Sequence, residues 1–301
     1  MRTRTKAARA VVLFFLGWSV LAVILPAQAE EGSNQGLPNP FFALINCTQC
    51  EQYATPEAQA GVLKELGYAG IGPSGESGIP EMLQALDAHG LKMFALYVGA
   101  NLDPDQPKYD PKLPEAIRQL KGRQTFIWLY LRSSKFQPSS SDGDPEAVAV
   151  VREIAEMCQQ SGLRVALYPH TWFYVQRVED AVRVAEKVDR PNVGVTFNLC
   201  HWLKLDEPSS MKRLMELALP RLFLVTINGA DHDADDWDRL IQPLDRGSFD
   251  VYSFLKTLKD LGYTGPVGLQ CYAVPGDKYE NLKRSMDAWQ TLSKRLAGEQ
   301  N

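Results

Sequence analysis

The chain has 301 residues, 45% of them hydrophobic and 23% charged, with a formal net charge of −4. This is ordinary globular composition, enough for one large α/β domain, and it excludes a fibrous or disordered chain. It also argues against nucleic acid or an anionic membrane as a partner held by bulk charge.

In chain order, the first element is an export signal. Arg2, Arg4, Lys6 and Arg9 form a basic start without acids, an apolar run spans Ala10 to Leu25, and Pro26 precedes the small-residue site Ala27 to Ala29. Residues 1–29 therefore read as a signal peptide cleaved after Ala29, leaving no membrane span in a periplasmic or secreted product. The same run retained would be an anchor near the lower length limit for crossing a bilayer. Residues 30–40 are polar, contain Gly and Pro, and read as a leader.

Short apolar strands then alternate with amphipathic helices, the pattern of a parallel sheet. The strands are predicted near Phe41 to Asn46, Tyr68 to Gly72, Lys92 to Val98, Thr125 to Leu131, Arg164 to Tyr168, Val193 to Phe197, Leu222 to Asn228 and Val267 to Cys271. Helices feeding these strands stop at Gly67, Gly90, Gly162 and Gly262, residues that tolerate the left-handed conformation of a helix end. Helix starts are marked by Thr55 before Pro56 and by Asp144 before Pro145. Gly99 to Pro111 and Ser133 to Asp144 are predicted loops. Eight strands with intervening helices suit a closed α/β fold, the single-domain (β/α)8 TIM barrel, over residues 41–297.

Five cysteines, at 47, 50, 158, 200 and 271, are too few and too irregular for a disulfide scaffold. Cys47 and Cys50 have C-x-x-C spacing, for which a local disulfide, a structural thiol pair and a redox motif are the readings.

A barrel of this kind carries its chemistry at the C-terminal ends of the strands. The residues placed there include Asn46, Trp128, Tyr130, Arg132, His170, Trp172, Asn198, His201, Trp202, Asn228, His232, Gln270 and Tyr272. These strand ends carry a resemblance. Val193 to His201, Leu222 to Asn228, Leu244 to Asp250 and Leu261 to Gln270 together resemble strands six to eight of the xylose isomerase-like sugar isomerase and epimerase family.

The resemblance implies a divalent metal held at the ends of strands five to eight. The matching positions here are Tyr168, Asn198, Thr226 and Gln270, with no carboxylate or histidine among them, so no metal and no other cofactor is expected. His201 matches the family's substrate-facing histidine. His170 and His201 are the candidate catalytic pair, since imidazoles move protons near neutral pH. An alternative gathers His170, His201 and His232 into a relocated metal site.

Asn198, Asn228 and Gln270 offer the paired donors and acceptors that a carbohydrate requires, and Trp172, Trp202 and Tyr272 offer rings for sugar faces. Glu76, in the Gly-rich loop Pro73 to Gly78, is the candidate replacement carboxylate. The favoured expectation is an exported isomerase, epimerase or lyase-like enzyme acting on a sugar or keto-sugar by proton transfer, with a small carbohydrate as partner. A catalytically silent carbohydrate-binding barrel is the alternative. The nucleic-acid repair role of related endonuclease IV barrels would need a metal cluster and a more basic face.

Overall fold

The computed structural model describes Leu37–Gly298; the predicted signal peptide and the leader up to Gly36 lie outside the described residues. Within them strand and helix alternate: β1 (Phe41–Leu44), α1 (Pro56–Glu65), β2 (Gly70–Gly72), α2 (Ile79–His89), β3 (Lys92–Met93), β4 (Ala95–Asn101), α3 (Leu113–Gln119) and β5 (Phe126–Arg132). The second half continues through α4 (Asp144–Gln160), β6 (Arg164–Leu167), α5 (Val178–Val188), β7 (Val193–Asn198), α6 (Leu199–Leu205), α7 (Met211–Ala218) and β8 (Leu222–Ile227). It ends with α8 (Trp237–Leu240), α9 (Val251–Asp260), β9 (Val267–Leu269) and α10 (Lys278–Gly298).

All pairings are parallel, in the order β3-β2-β1-β9-β8-β7-β6-β5-β4. The two ends of this order, β3 and β4, are halves of one predicted strand, separated only by Phe94. That residue donates to Ile71 O at 2.9 Å on one side and accepts from Phe126 N–H at 2.9 Å on the other. The seam closes the ring, so the architecture is a (β/α)8 TIM barrel.

Residues facing inward along the strands alternate with residues facing the helices. Phe42, Leu44, Phe94, Phe126, Trp128, Ala166, Tyr168 and Leu224 fill the barrel interior. Gly268 makes room for this packing, since a Cβ there would lie 2.7 Å from the Phe42 ring. The opposite faces, such as Val165, Leu167, Val193 and Val195, join the larger core beneath the helices.

The predicted helix ends hold: Gly67, Gly90, Gly162 and Gly262 all have positive φ, and Thr55 caps α1 by accepting from Ala58 N–H at 3.2 Å. Several strands are shorter than expected, β1 ending at Leu44, β2 starting at Gly70 and β9 ending at Leu269, and two other boundaries shift in ways that bear on the site. β4 and β5 pair as far as Asn101 and Arg132, which takes the first residues of the predicted loop at Gly99 into the sheet. At α4 the cap position belongs to Gly143, and Asp144 lies inside the helix. Its buried carboxylate is drawn sideways, accepting from Tyr174 Oη at 2.6 Å, Lys187 Nζ at 2.6 Å and Arg183 Nε at 3.1 Å.

Candidate active site

Past β6 the chain turns sharply, with His170 N–H donating to Val175 O at 3.0 Å and Phe173 N–H donating to His170 O at 3.0 Å. The turn lays the His170 ring flat on Phe173, centroids 4.0 Å apart. His201 arrives from the first turn of α6, which Asn198 caps by accepting His201 N–H at 3.3 Å. The two imidazoles meet with ring centroids 4.0 Å apart.

Their hydrogen bonds assign opposite tautomers. His170 Nδ1 lies 2.8 Å from Thr171 O, and a carbonyl only accepts, so Nδ1 carries the hydrogen and Nε2 the lone pair. His201 Nδ1 faces Thr171 N–H at 3.4 Å and Thr171 Oγ1 at 3.0 Å. A backbone N–H only donates, so His201 carries its hydrogen on Nε2. Neither Nε2 has a protein hydrogen-bond partner among the described residues. Both rings titrate below the usual histidine range: His170 through burial and the nearby Arg132 charge, His201 more strongly through burial and its histidine neighbour. The pair is therefore neutral at pH 7, one ring offering a base and the other a donor.

Both histidines line a cavity of about 510 Å³ at the C-terminal mouth of the barrel. Across it Gln270 Oε1 accepts from Asn46 Nδ2 at 2.5 Å and from Tyr272 N–H at 3.1 Å, which leaves its Nε2 hydrogens without a protein partner among the described residues. Asn46 Oδ1 in turn accepts Cys271 N–H at 3.1 Å. Tyr97, Trp128 and Tyr168 supply aromatic walls lower in the cavity, and Trp172, Trp237 and Tyr272 stand toward its mouth.

Of the residues predicted to act on or bind the substrate, His170, His201, Gln270, Trp172 and Tyr272 thus share one cavity, joined there by Asn46 and Trp128 of the strand ends. The others do not line it. Asn198 is buried beneath it, its Nδ2 donating to Tyr168 Oη at 3.2 Å while its Oδ1 caps α6. Asn228 is fully buried and donates to Gly229 O at 2.7 Å and Leu240 O at 2.8 Å, so it secures the loop that carries Trp237.

Trp202 packs outside the barrel on Phe197, Phe249 and Phe254, with its indole N–H on Ser210 Oγ at 3.0 Å. One step along a helix turns a side chain by about 100°, so Trp202 cannot share the face of His201. Glu76 is half-buried on the β2–α2 loop, away from the cavity wall. Burial and Asp110 push its carboxyl above the usual range. His232 is exposed and paired with Asp233 at 2.9 Å. Among the described residues no group of three His, Cys, Asp or Glu side chains converges as a metal site.

Three aromatic wall residues, Tyr97, Tyr168 and Trp237, are not among the sugar-facing rings expected from the sequence, where Tyr168 entered only as a metal-template position. Tyr97 and Tyr168 were legible in principle, because they continue the inward alternation of Ala95 and Ala166. Trp237 stands in the acidic stretch from Asp231 to Asp238, which reads as a solvated loop but places this ring 5.3 Å from His201, edge to face. The C-x-x-C pair carries no disulfide: Cys47 and Cys50 are both free thiols, Cys47 buried and donating to Leu269 O at 3.2 Å, Cys50 only partly buried.

The four positions matching a family metal site do not fit a hard divalent cation. Burial holds the Tyr168 hydroxyl protonated. The Asn198 oxygen caps α6, the Gln270 oxygen already accepts two hydrogens, and Thr226 Oγ1 is a neutral hydroxyl shut in without a partner. Such an ion gives up its water for anionic oxygens, and this set contains none.

The family model of the xylose isomerase-like TIM barrel matches residues 61–292. A ketose 3-epimerase of Arthrobacter globiformis is 24% identical over 223 residues, 69% of this chain and 73% of that protein. A 3-dehydroshikimate dehydratase of Pseudomonas aeruginosa is 27% identical over 136 residues, 43% of this chain but 21% of the dehydratase. Among solved structures, 3-keto-D-glucoside 4-epimerase from E. coli superposes with a TM-score of 0.68 at 16% identity, covering 84% of this chain and 99% of its own. D-allulose 3-epimerase from Methylomonas sp. in complex with D-allulose gives 0.63 at 15% identity, with 84% and 96% covered. At these identities the solved structures share the fold.

Proposed function

The chain belongs to the xylose isomerase-like TIM-barrel family, and from that premise we propose that it is an exported isomerase or epimerase of a sugar or keto-sugar. The observation that carries this reading is the pair of neutral histidines, 4.0 Å apart and of opposite tautomer, on the wall of one cavity with the free Gln270 amide. A carbohydrate carbonyl oxygen placed between Gln270 Nε2 and His201 Nε2–H receives two hydrogen bonds, which strengthen as negative charge develops on it. His170 Nε2 then takes the proton from the adjacent carbon, and the C–H electron pair becomes the C=C of an enolate whose charge rests on that oxygen.

Return of the proton from the His170 imidazolium to the former carbonyl carbon, while the proton of the adjacent hydroxyl passes to the enolate oxygen, yields the isomer; a solvent proton delivered to the opposite face of the original carbon, with the His170 imidazolium releasing its own proton to solvent, yields the epimer. A β-linked oxygen leaving from the same enolate would give the lyase outcome. The related ketose 3-epimerase and the keto-glucoside epimerase act by name on substrates of this class. Export is supported by the basic and apolar composition of residues 1–29.

The test is solvent exchange. Purified protein, with and without chelator, is incubated in D2O with mono- and disaccharides and their keto forms, and deuterium at carbon is followed by NMR. Exchange is expected in wild type, insensitive to chelation, and reduced by about 10²–10⁴ in His170→Ala. Gln270→Glu, which replaces a donor with a repelling acceptor, should cost about 10²-fold. Chelation that abolishes exchange, with stoichiometric metal in the protein, would reject the metal-free account. Sugar binding without exchange in any substrate would make the chain a carbohydrate-binding barrel.

A further inference from the structure

Trp172 and Tyr272 are 65% and 63% exposed, although both line the cavity. Apolar rings of this size are ordinarily covered, and a ring left open on the wall of a cleft marks a surface built to be covered by a ligand. Their backbone supports the same conclusion. Among the described residues other than glycine, four have positive φ, and two of them belong to these rings: Trp172 itself at 71° and Ala273, next to Tyr272, at 57°. A bulky residue in the left-handed region costs about 1–2 kcal/mol and persists only where its surroundings enforce it.

Those surroundings are identifiable. Trp172 N–H donates to Gln176 Oε1 at 3.3 Å, and Gln176 N–H and Arg177 N–H donate to the buried Asp180 carboxylate at 3.2 and 2.9 Å. Arg183 fixes that carboxylate at 2.6 Å. On the other side Tyr272 N–H is bound by the Gln270 oxygen at 3.1 Å. The fold thus holds two rings out over the mouth at a conformational cost. Trp172 also meets Trp237 edge-on at 5.8 Å, and Trp237 meets His201 at 5.3 Å, so the open ring is one aromatic away from the reacting histidine.

We infer that the mouth is a second sugar subsite and that the substrate is a glycoside: one ring reacts at His170 and His201 while a second, joined to it, stacks on Trp172 and Tyr272. This rests on the carbohydrate reading above and adds the size of the substrate to it. The C–H faces of a pyranose are apolar and flat, and each ring platform contributes roughly two- to tenfold in affinity. A monosaccharide would occupy the inner histidine site and leave both outer rings bare.

The experiment is calorimetric titration of the full mature chain with glucose, methyl α- and β-glucosides, and a panel of glucose disaccharides of both anomeric linkages, together with the corresponding galactose set. At least one disaccharide is expected to bind about tenfold more tightly than its monosaccharide. Trp172→Ala and Tyr272→Ala should each erase most of that preference, weakening the disaccharide far more than the monosaccharide, and Trp172→Phe should retain part of it. Trp172→Gly guards against a folding artefact. Glycine accepts the left-handed backbone, so its melting temperature should equal or exceed that of wild type while the preference is lost. Equal binding of mono- and disaccharides, or equal weakening of both by Trp172→Ala, overturns the subsite alone. Absence of binding by every sugar overturns the carbohydrate reading with it.

Discussion

At the scale of single residues, the site depends on two imidazoles that stay uncharged. Burial lowers the titration of both His170 and His201 from the ordinary value of 6.5. The sign follows from linkage. Above about pH 6.5 folded and unfolded chains both hold these groups neutral, but below it the unfolded chain takes up protons that the folded site resists, so stability falls with pH. His201→Gln is expected to flatten the fall of unfolding free energy between about pH 6.5 and 5, measured by urea titration at each pH. In wild type the acid limb of kcat/KM should lie below the ordinary histidine value. Activity that falls instead as pH rises through the histidine range would show that the pair works in its protonated form. Asn198 acts here only through others: it orders His201 through the α6 cap and Tyr168 through its amide.

At the scale of elements, the loop after β6 is held by helices rather than by its own composition. Asp144 from α4 and Asp180 and Arg183 from α5 join Tyr174 and Gln176 of the loop in one buried network. Asp144→Ala should remove the shared carboxylate and strand Arg183 and Tyr174, lowering stability by about 3 kcal/mol. Because Trp172 hangs from this network, the same variant should raise KM more than it lowers kcat, measured by steady-state kinetics beside a thermal melt. A change in kcat alone would place the network under the histidines instead. From the sequence Asp144 reads as a helix cap, since an acid before proline has that signature; the carboxylate turns inward because the cation partners lie one helix away, at Arg183 and Lys187.

At the scale of the whole molecule, the barrel depends on one seam, Phe94, where a single strand changes partners between β2 and β5. We propose that the mature chain begins near Glu30, because the basic start, the apolar run and the Ala27 to Ala29 site have the pattern of a processing signal. N-terminal sequencing of the exported protein tests this, and recovery of Met1 would favour the retained anchor.

The sequence by itself determined the alternation of strand and helix, the glycine-terminated junctions, the (β/α)8 class and the placement of His170, His201, Gln270, Trp172 and Tyr272 at strand ends. These are local properties: periodicity and turn chemistry act over a few residues and are written in the chain. Tertiary structure alone decided that Trp202 turns outward while Trp237 turns in, that Asn198 and Asn228 are spent on backbone and cap, and that Thr171 sets opposite tautomers on the two histidines. Trp237 against His201, Asn228 on Leu240 O and Thr171 on His201 each join residues 12 or more positions apart, brought together by ring closure and by the angle at which a helix leaves its strand, and a contact made across such a distance has no signature in the residues that flank it.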